Sequence, residues 1–190
     1  MNKTARGFTL VELLVVIAII AILAAVIVLI INPLELTRRG RDAARLTDLA
    51  NLQQAINVAV QESTTAGSQI LCNGAVYPCG GAAGAGQSNV GTRASNGSGW
   101  VKVNLGAQQA VSVPTLPADP TNSTTYHYTY CADNAPGTDA WEINAVLESQ
   151  QHIGKMGTDG GNENALNTTG RYEVGSNLTL IAASGGSCVY

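Results

Sequence analysis

A chain of 190 residues suits one globular domain carrying an appendage. Charged residues make up only 12% of it and the net charge is −3; with 21 glycines and abundant Asn, Ser and Thr, the surface is polar without being ionic, as in secreted and cell-surface proteins. Residues 1–60 hold six basic and four acidic groups, and residues 61–190 hold four and nine, so the larger, acidic part is excluded as a binder of nucleic acid through phosphate neutralisation.

The first element is apolar. After Lys3 and Arg6, Leu13 to Ile31 form 19 uninterrupted apolar positions. As a helix they span about 28 Å, close to the hydrocarbon thickness of a bilayer. Ile and Val are middling helix formers, but in lipid a lone segment satisfies its backbone only as a helix. The run is longer than a secretory h-region, and no A-x-A site lies in it or just after it, so it is expected to stay in the mature chain. One carboxylate, Glu12, sits at its mouth. A carboxylate beside hydrocarbon is costly, and a chain that keeps one there is expected to use it; the bland reading leaves it at headgroup level.

Asn32-Pro33 then interrupts the helix, because proline deletes an i→i−4 bond and clashes with the preceding turn. A helical pattern resumes over 32–63. Leu46, Leu49, Ala50, Leu52, Ile56 and Val60 fall on one arc, with Asp48, Asn51 and Gln54 outside it, so this half is amphipathic and rests one face on a domain. Arg38, Arg39, Arg41 and Arg45, interspersed with Glu35, Asp42 and Asp48, read as a solvated helix face. Ser63-Thr64-Thr65-Ala66-Gly67 stops the helix.

The rest, 64–190, reads as a β-rich head. Its four cysteines avoid the paired close spacings of structural zinc sites and favour disulfides in an oxidising compartment. The short loop CNGAVYPC, bent by Gly74 and Pro78, favours Cys72–Cys79, which leaves Cys131–Cys188. Residues 80–99 are rich in Gly, Ser and Asn and read as loop; no phosphate-cradling motif is present. WVKVNL (100–105), YHYTYC (126–131) and AWEINAVLE (140–148) alternate as strands, the last two joined through DNAPGTD. YEV (172–174) and LTLI (178–181) suggest a final hairpin. KMGTDGGNENA (155–165) offers Asp159, Asn162 and Asn164 as oxygen ligands for Ca²⁺, although the spacing is not that of an EF-hand and a solvated turn is the favoured reading. His127 and His152 are the two histidines, and no nucleophile, zinc or paired-carboxylate motif accompanies them, so the chain does not read as an enzyme.

Gly7-Phe8-Thr9-Leu10-Val11-Glu12, behind a short basic leader, resembles the processing site of type IV pilins and type II secretion pseudopilins. LPADP (116–120) and Leu147-Glu148-Ser149 also resemble patterns in those heads, and the major pseudopilins carry a calcium loop in a place comparable to 155–165. The resemblance implies an α+β pilin fold: a long N-terminal helix, apolar then amphipathic, on a small antiparallel sheet. It implies a leader at 1–7, a transmembrane and filament-core helix at 8–31, the amphipathic half at 32–63 and the head at 64–190. A prepilin peptidase is expected to cut between Gly7 and Phe8 and to methylate the new Phe8 amine, which then meets Glu12 of a neighbouring subunit. The expected product is a type IV pilus filament at the cell surface, built from an inner-membrane single-pass precursor by an assembly platform and its ATPase, with copies of itself and minor pilins as partners. A secretion pseudopilin is the alternative, and an uncleaved membrane-anchored adhesin or lectin-like domain is a further one. One tension stands. Lys3 and Arg6 precede the apolar run while four arginines follow it, which a count of positive charges would not orient with the head outside; the cysteines and the leader do.

Overall fold

The computed structural model describes residues 7–63, 67–110, 112–134 and 139–190. Residues 1–6 of the expected leader, positions 64–66 of the expected helix stop and positions 135–138 of the expected turn lie outside the described residues. The chain divides into two compact units, Met1–Thr37 and Arg38–Tyr190.

Helix α1 runs from Leu10 to Ile31, and α2 runs from Pro33 to Glu62. Between them Asn32 adopts a left-handed conformation, φ 43°, which a following proline and a short polar side chain both favour over the helical region. Asn32 then starts the next helix. Its carbonyl accepts from Glu35 N–H at 3.0 Å, and Pro33 takes the first helical position, where a missing N–H costs nothing.

In the second unit a four-stranded antiparallel sheet has the order β1 (Cys79–Gly80), β2 (Thr129–Asp133), β3 (Ala140–Ala145), β4 (Tyr172–Gly175). A short helix α3, Gly67–Leu71, precedes it, and a 3₁₀ turn spans Ile153–Gly157. The α+β arrangement is therefore the one expected. Because side chains alternate across a strand, Tyr130 and Ala132, Trp141, Ile143 and Ala145, and Val174 all face one way. There they meet Leu49, Leu52, Ala55, Ile56 and Ala59 of α2 in one core, together with Trp100 and Leu116. Each fully buried Leu or Ile contributes about 1.5–3 kcal/mol. The other face carries Cys131, and β5 (Ile181–Ala182) and β6 (Cys188–Val189) close over it as a parallel pair. Gly80, φ 103°, lies so close to β2 that a Cβ there would collide with the Tyr130 carbonyl.

Several expectations are corrected. WVKVNL does bury Trp100, Val101, Val103 and Leu105, but among the described residues it forms no strand and has only an isolated antiparallel bridge, Asn104 with Asn96. Its backbone bonds only at its ends, Trp100 N–H to Thr92 and Leu105 N–H to Ser95, so side-chain burial survives without a ladder. The last two strands form no hairpin: β4 pairs with β3, and β5 pairs in parallel with β6. The buried arc of α2 is also rotated. Ala50 and Val60 are exposed, while Asp42 and Arg45, assigned to a solvated face, are fully buried.

The cause of that rotation is an ion network. Arg45 Nε and Nη2 donate to the two oxygens of Asp119 at 2.6 and 3.0 Å; its Nη1 donates to Asp42 at 2.8 Å and to Glu148 at 2.7 Å. Arg41 adds a two-pronged pair to Glu148 at 2.7 and 2.6 Å. Asp42 in turn accepts the N–H groups of Glu148 and Ser149. The Tyr126 ring lies under the Arg45 guanidinium at 5.1 Å. Burial opposes the charge of Arg45, but Asp119, then Glu148 and Asp42, hold its pKa above the ordinary value. Burial likewise opposes the charge of Glu148, and Arg41 and Arg45 hold it below the ordinary carboxylate range.

Replacing Arg45 by Met leaves two buried carboxylates, Asp42 and Asp119, short of a counter-charge, while Glu148 keeps Arg41. It should cost about 3–5 kcal/mol in urea unfolding, more than a core Ile→Val change of about 1 kcal/mol. Since the folded pKa of Glu148 is depressed, its contribution is present above its unfolded value of 4.5 and lost as pH falls through the folded one. A wild-type urea midpoint that stays level below pH 4 would contradict this.

Candidate functional site

The N-terminal unit is organised around one carboxylate at a helix start. Thr9 is the N-cap, extended at φ −83° and ψ 151°, and its hydroxyl accepts the Glu12 N–H at 3.2 Å. In return Glu12 Oε2 accepts the Thr9 N–H at 3.1 Å and the Thr9 hydroxyl at 2.9 Å. This reciprocal pair is a capping box, which satisfies donors that a helix start otherwise leaves open. It also places a negative charge at the positive end of the helix dipole. Thr9 was not singled out from the sequence, yet the signal was there: Thr-x-x-Glu immediately before an apolar run.

Gly7 and Phe8 stand just outside this helix. Among the described residues nothing lies within 4 Å of where a Gly7 Cβ would project, and Phe8 is 82% exposed. From Leu10 to Val28, α1 is long and apolar enough to cross a membrane, and none of it is buried within the chain. Apolar surface on that scale marks a contact with lipid or protein.

The head holds the other residues singled out. Cys72 joins Cys79 with Cα atoms 5.8 Å apart, and Cys131 joins Cys188 at 6.1 Å. Asp159 spends its oxygens on the backbone, accepting Gly161 N–H at 3.1 Å and Glu173 N–H at 2.8 Å. Asn162 and Asn164 are exposed on the same loop. Among the described residues no group of three or more His, Cys, Asp or Glu side chains is placed to hold a metal ion.

His127 is buried with Nδ1 3.2 Å from the Ser123 carbonyl, and burial, reinforced by Arg171, pushes its pKa down. Ser149, His152 and Asp42 lie together, but both contacts fall on one ring nitrogen: Nδ1 is 3.1 Å from Ser149 Oγ and 3.9 Å from Asp42. A proton relay needs the two ring nitrogens to face different groups, so this trio is a turn cap, with Ser149 Oγ also accepting His152 N–H.

Residues 2–28 match the family model described as the prokaryotic N-terminal methylation motif. No curated protein and no solved structure matches the chain. The matched stretch takes in Gly7, Phe8, the Thr9–Glu12 capping box and most of α1. It marks structural subunits rather than an enzyme family. The chain therefore carries the prepilin-type N-terminus of type IV pilins and pseudopilins, ahead of an α+β arrangement consistent with a pilin fold.

Proposed function

We propose that this chain is a pilin, the structural subunit of a type IV pilus. The observation that carries the reading is the methylation motif over residues 2–28, laid on an apolar helix that buries nothing in its own chain. A prepilin peptidase removes residues 1–7 at the Gly7–Phe8 bond and methylates the amine it frees. The precursor waits in the inner membrane, where lipid covers α1. An assembly platform and its ATPase then extract it, and the α1 helices of many copies cover one another in the filament core, with the heads outside.

Glu12 has the assembly role. Thr9 occupies its Oε2 and leaves Oε1 to the N-methyl ammonium of Phe8 from a neighbouring subunit. In a low-dielectric core such a pair is stronger than in water, and a lone acid with one matching amine sets the axial register. The reading needs no cofactor. A secretion pseudopilin would use the same N-terminus and the same helix; surface filaments visible by electron microscopy favour the pilus, and their absence from cells that still export protein favours the pseudopilus. The uncleaved membrane-anchored adhesin predicts an intact leader.

Mass spectrometry of protein recovered from cells should give a mature chain starting at Phe8 and heavier by one methyl group; a start at Met1 contradicts the proposal. Glu12→Ala should leave membrane insertion and cleavage intact while reducing sheared filament yield by about tenfold or more, the loss of roughly 1.4 kcal/mol or more per subunit contact. Filaments at wild-type yield from that variant would remove the role given to Glu12.

A further inference from the structure

The face of the sheet turned away from α2 buries two acids. Glu142 on β3 is 0% exposed and Glu173 on β4 is 2% exposed. The register pairs Glu142 with Gly175 and Asn144 with Glu173, so the two carboxyl groups are diagonal neighbours on one face, and Gly175 brings no side chain between them. Each spends one oxygen on backbone donors. Glu142 Oε2 accepts the N–H groups of Leu180 at 2.8 Å and Ile181 at 3.0 Å. Glu173 Oε2 accepts the Glu163 N–H at 3.2 Å, and Gly161 packs so tightly against that carboxyl that a Cβ would collide with it. The other oxygens, Glu142 Oε1 and Glu173 Oε1, are buried with no partner that could donate, while the two side chains stand within hydrogen-bonding reach of each other. Two carboxylate oxygens cannot bond without a hydrogen between them, and an unpaired buried charge is among the costliest things a fold can hold.

We propose that Glu142 and Glu173 share one proton in the folded head, and that this acid pair fastens β5 and the 161–163 loop to the back of the sheet. One proton satisfies both orphaned oxygens and halves the buried charge. The surroundings favour keeping it. Asp159 and Glu163 press further negative charge on the pair from the 159–163 loop. Lys155, from the 3₁₀ turn, lines the hollow beside Glu173, and Arg171 is stacked 4.0 Å over the Tyr190 ring, whose hydroxyl donates to Glu163. On β2 the same face carries Asp133 at its far end and the bridged Cys131, and β5 and β6 bring no titrating group. Burial, then the neighbouring acid, pushes Glu142 up to about 9; burial also pushes Glu173 up to about 7. Folded-state values above the ordinary 4.5 mean that the folded head holds protons more tightly than the unfolded chain. The stability this supplies is complete below the unfolded value of 4.5, declines progressively as pH rises past it, and is gone above about 9.

The test is thermal unfolding of the full chain in detergent with a chelator present, from about pH 5 to about pH 10. The wild-type Tm should fall by about 5 °C or more between about pH 5 and about pH 9 and level off above that. Glu142→Gln and Glu173→Gln each supply a permanent N–H in place of the shared proton, so both should lose most of that fall. An equal fall in both variants overturns the proposal. So does a wild-type Tm that rises with about 1 mM Ca²⁺ while the variants do not respond, since a cation would then hold the oxygens together. Should neither variant fold, carbon-13 titration of the wild-type glutamate carboxyls decides: two coupled carboxyls titrating above about pH 6 support the pair, and all of them titrating near 4.5 refutes it.

Discussion

A guanidinium cannot shed its charge, so burying Arg45 obliges the fold to bring it anions. Asp42 lies on the same helix, three residues away; Asp119 and Glu148 come from segments 74 and 103 residues further on. That requirement fixes how α2 meets the rest of its unit. A hydrophobic stripe alone tolerates sliding and rotation, since one Leu replaces another at small cost. A planar fork that must meet two oxygens of Asp119 within 3.0 Å does not. Net stabilisation from such a network is small, because desolvation consumes most of the Coulomb gain, but an ill-fitting arrangement is penalised heavily. The apolar core of α2 supplies the driving force, and Arg45 selects the one rotation in which Leu49, Leu52 and Ile56 face the sheet.

The N-terminal unit poses the opposite problem. Among the described residues none of α1 from Leu10 to Val28 is buried. Its structure is secure without packing, since the backbone groups in the body of the helix bond to one another and the Thr9–Glu12 box completes the start. The unit is thus locally complete and globally unfinished. What finishes it lies outside the chain, lipid first and other copies afterwards, in the function proposed above. Division of labour follows: the head is specified by internal charges, and the helix by external contacts.

How much was legible in the sequence follows from how local each signal is. The apolar run, the break at Asn32-Pro33, the paired strands β2 and β3 and the Gly7–Glu12 pattern depend on neighbours within a few residues, and each could be read. The strand 100–105 was misread because alternation reports burial, whereas a ladder needs a partner that periodicity cannot reveal. Arg45 and Asp42 were placed in solvent because their partners lie on distant segments. LPADP and Leu147-Glu148-Ser149 were noticed only as a resemblance; their physical meaning is that Asp119 and Glu148 are the acids that reach Arg45. Helix α3 is too short to show a period. The acid pair Glu142 and Glu173 was invisible for the same reason as Arg45, since only the register of β3 against β4 brings the two together.

The four cysteines bear on the order in which the head must close. Cys79 and Cys131 sit almost opposite each other, since β1 and β2 pair Cys79 with Ala132 and Gly80 with Cys131, and Cys188 Sγ lies 3.8 Å from the Cys79 carbonyl. All three are therefore crowded at one margin of the sheet, and a wrong partner is near at hand for each. The separations of 7 and 57 residues resolve the ambiguity. The short ring is easier to close by roughly 2 kcal/mol of chain entropy, and both its thiols precede Cys131 in the chain. Cys79 is thus withdrawn early, and when the last residues arrive Cys131 and Cys188 have only each other. Chain order, combined with ring size, favours a single set of crosslinks without requiring the sheet to proofread them.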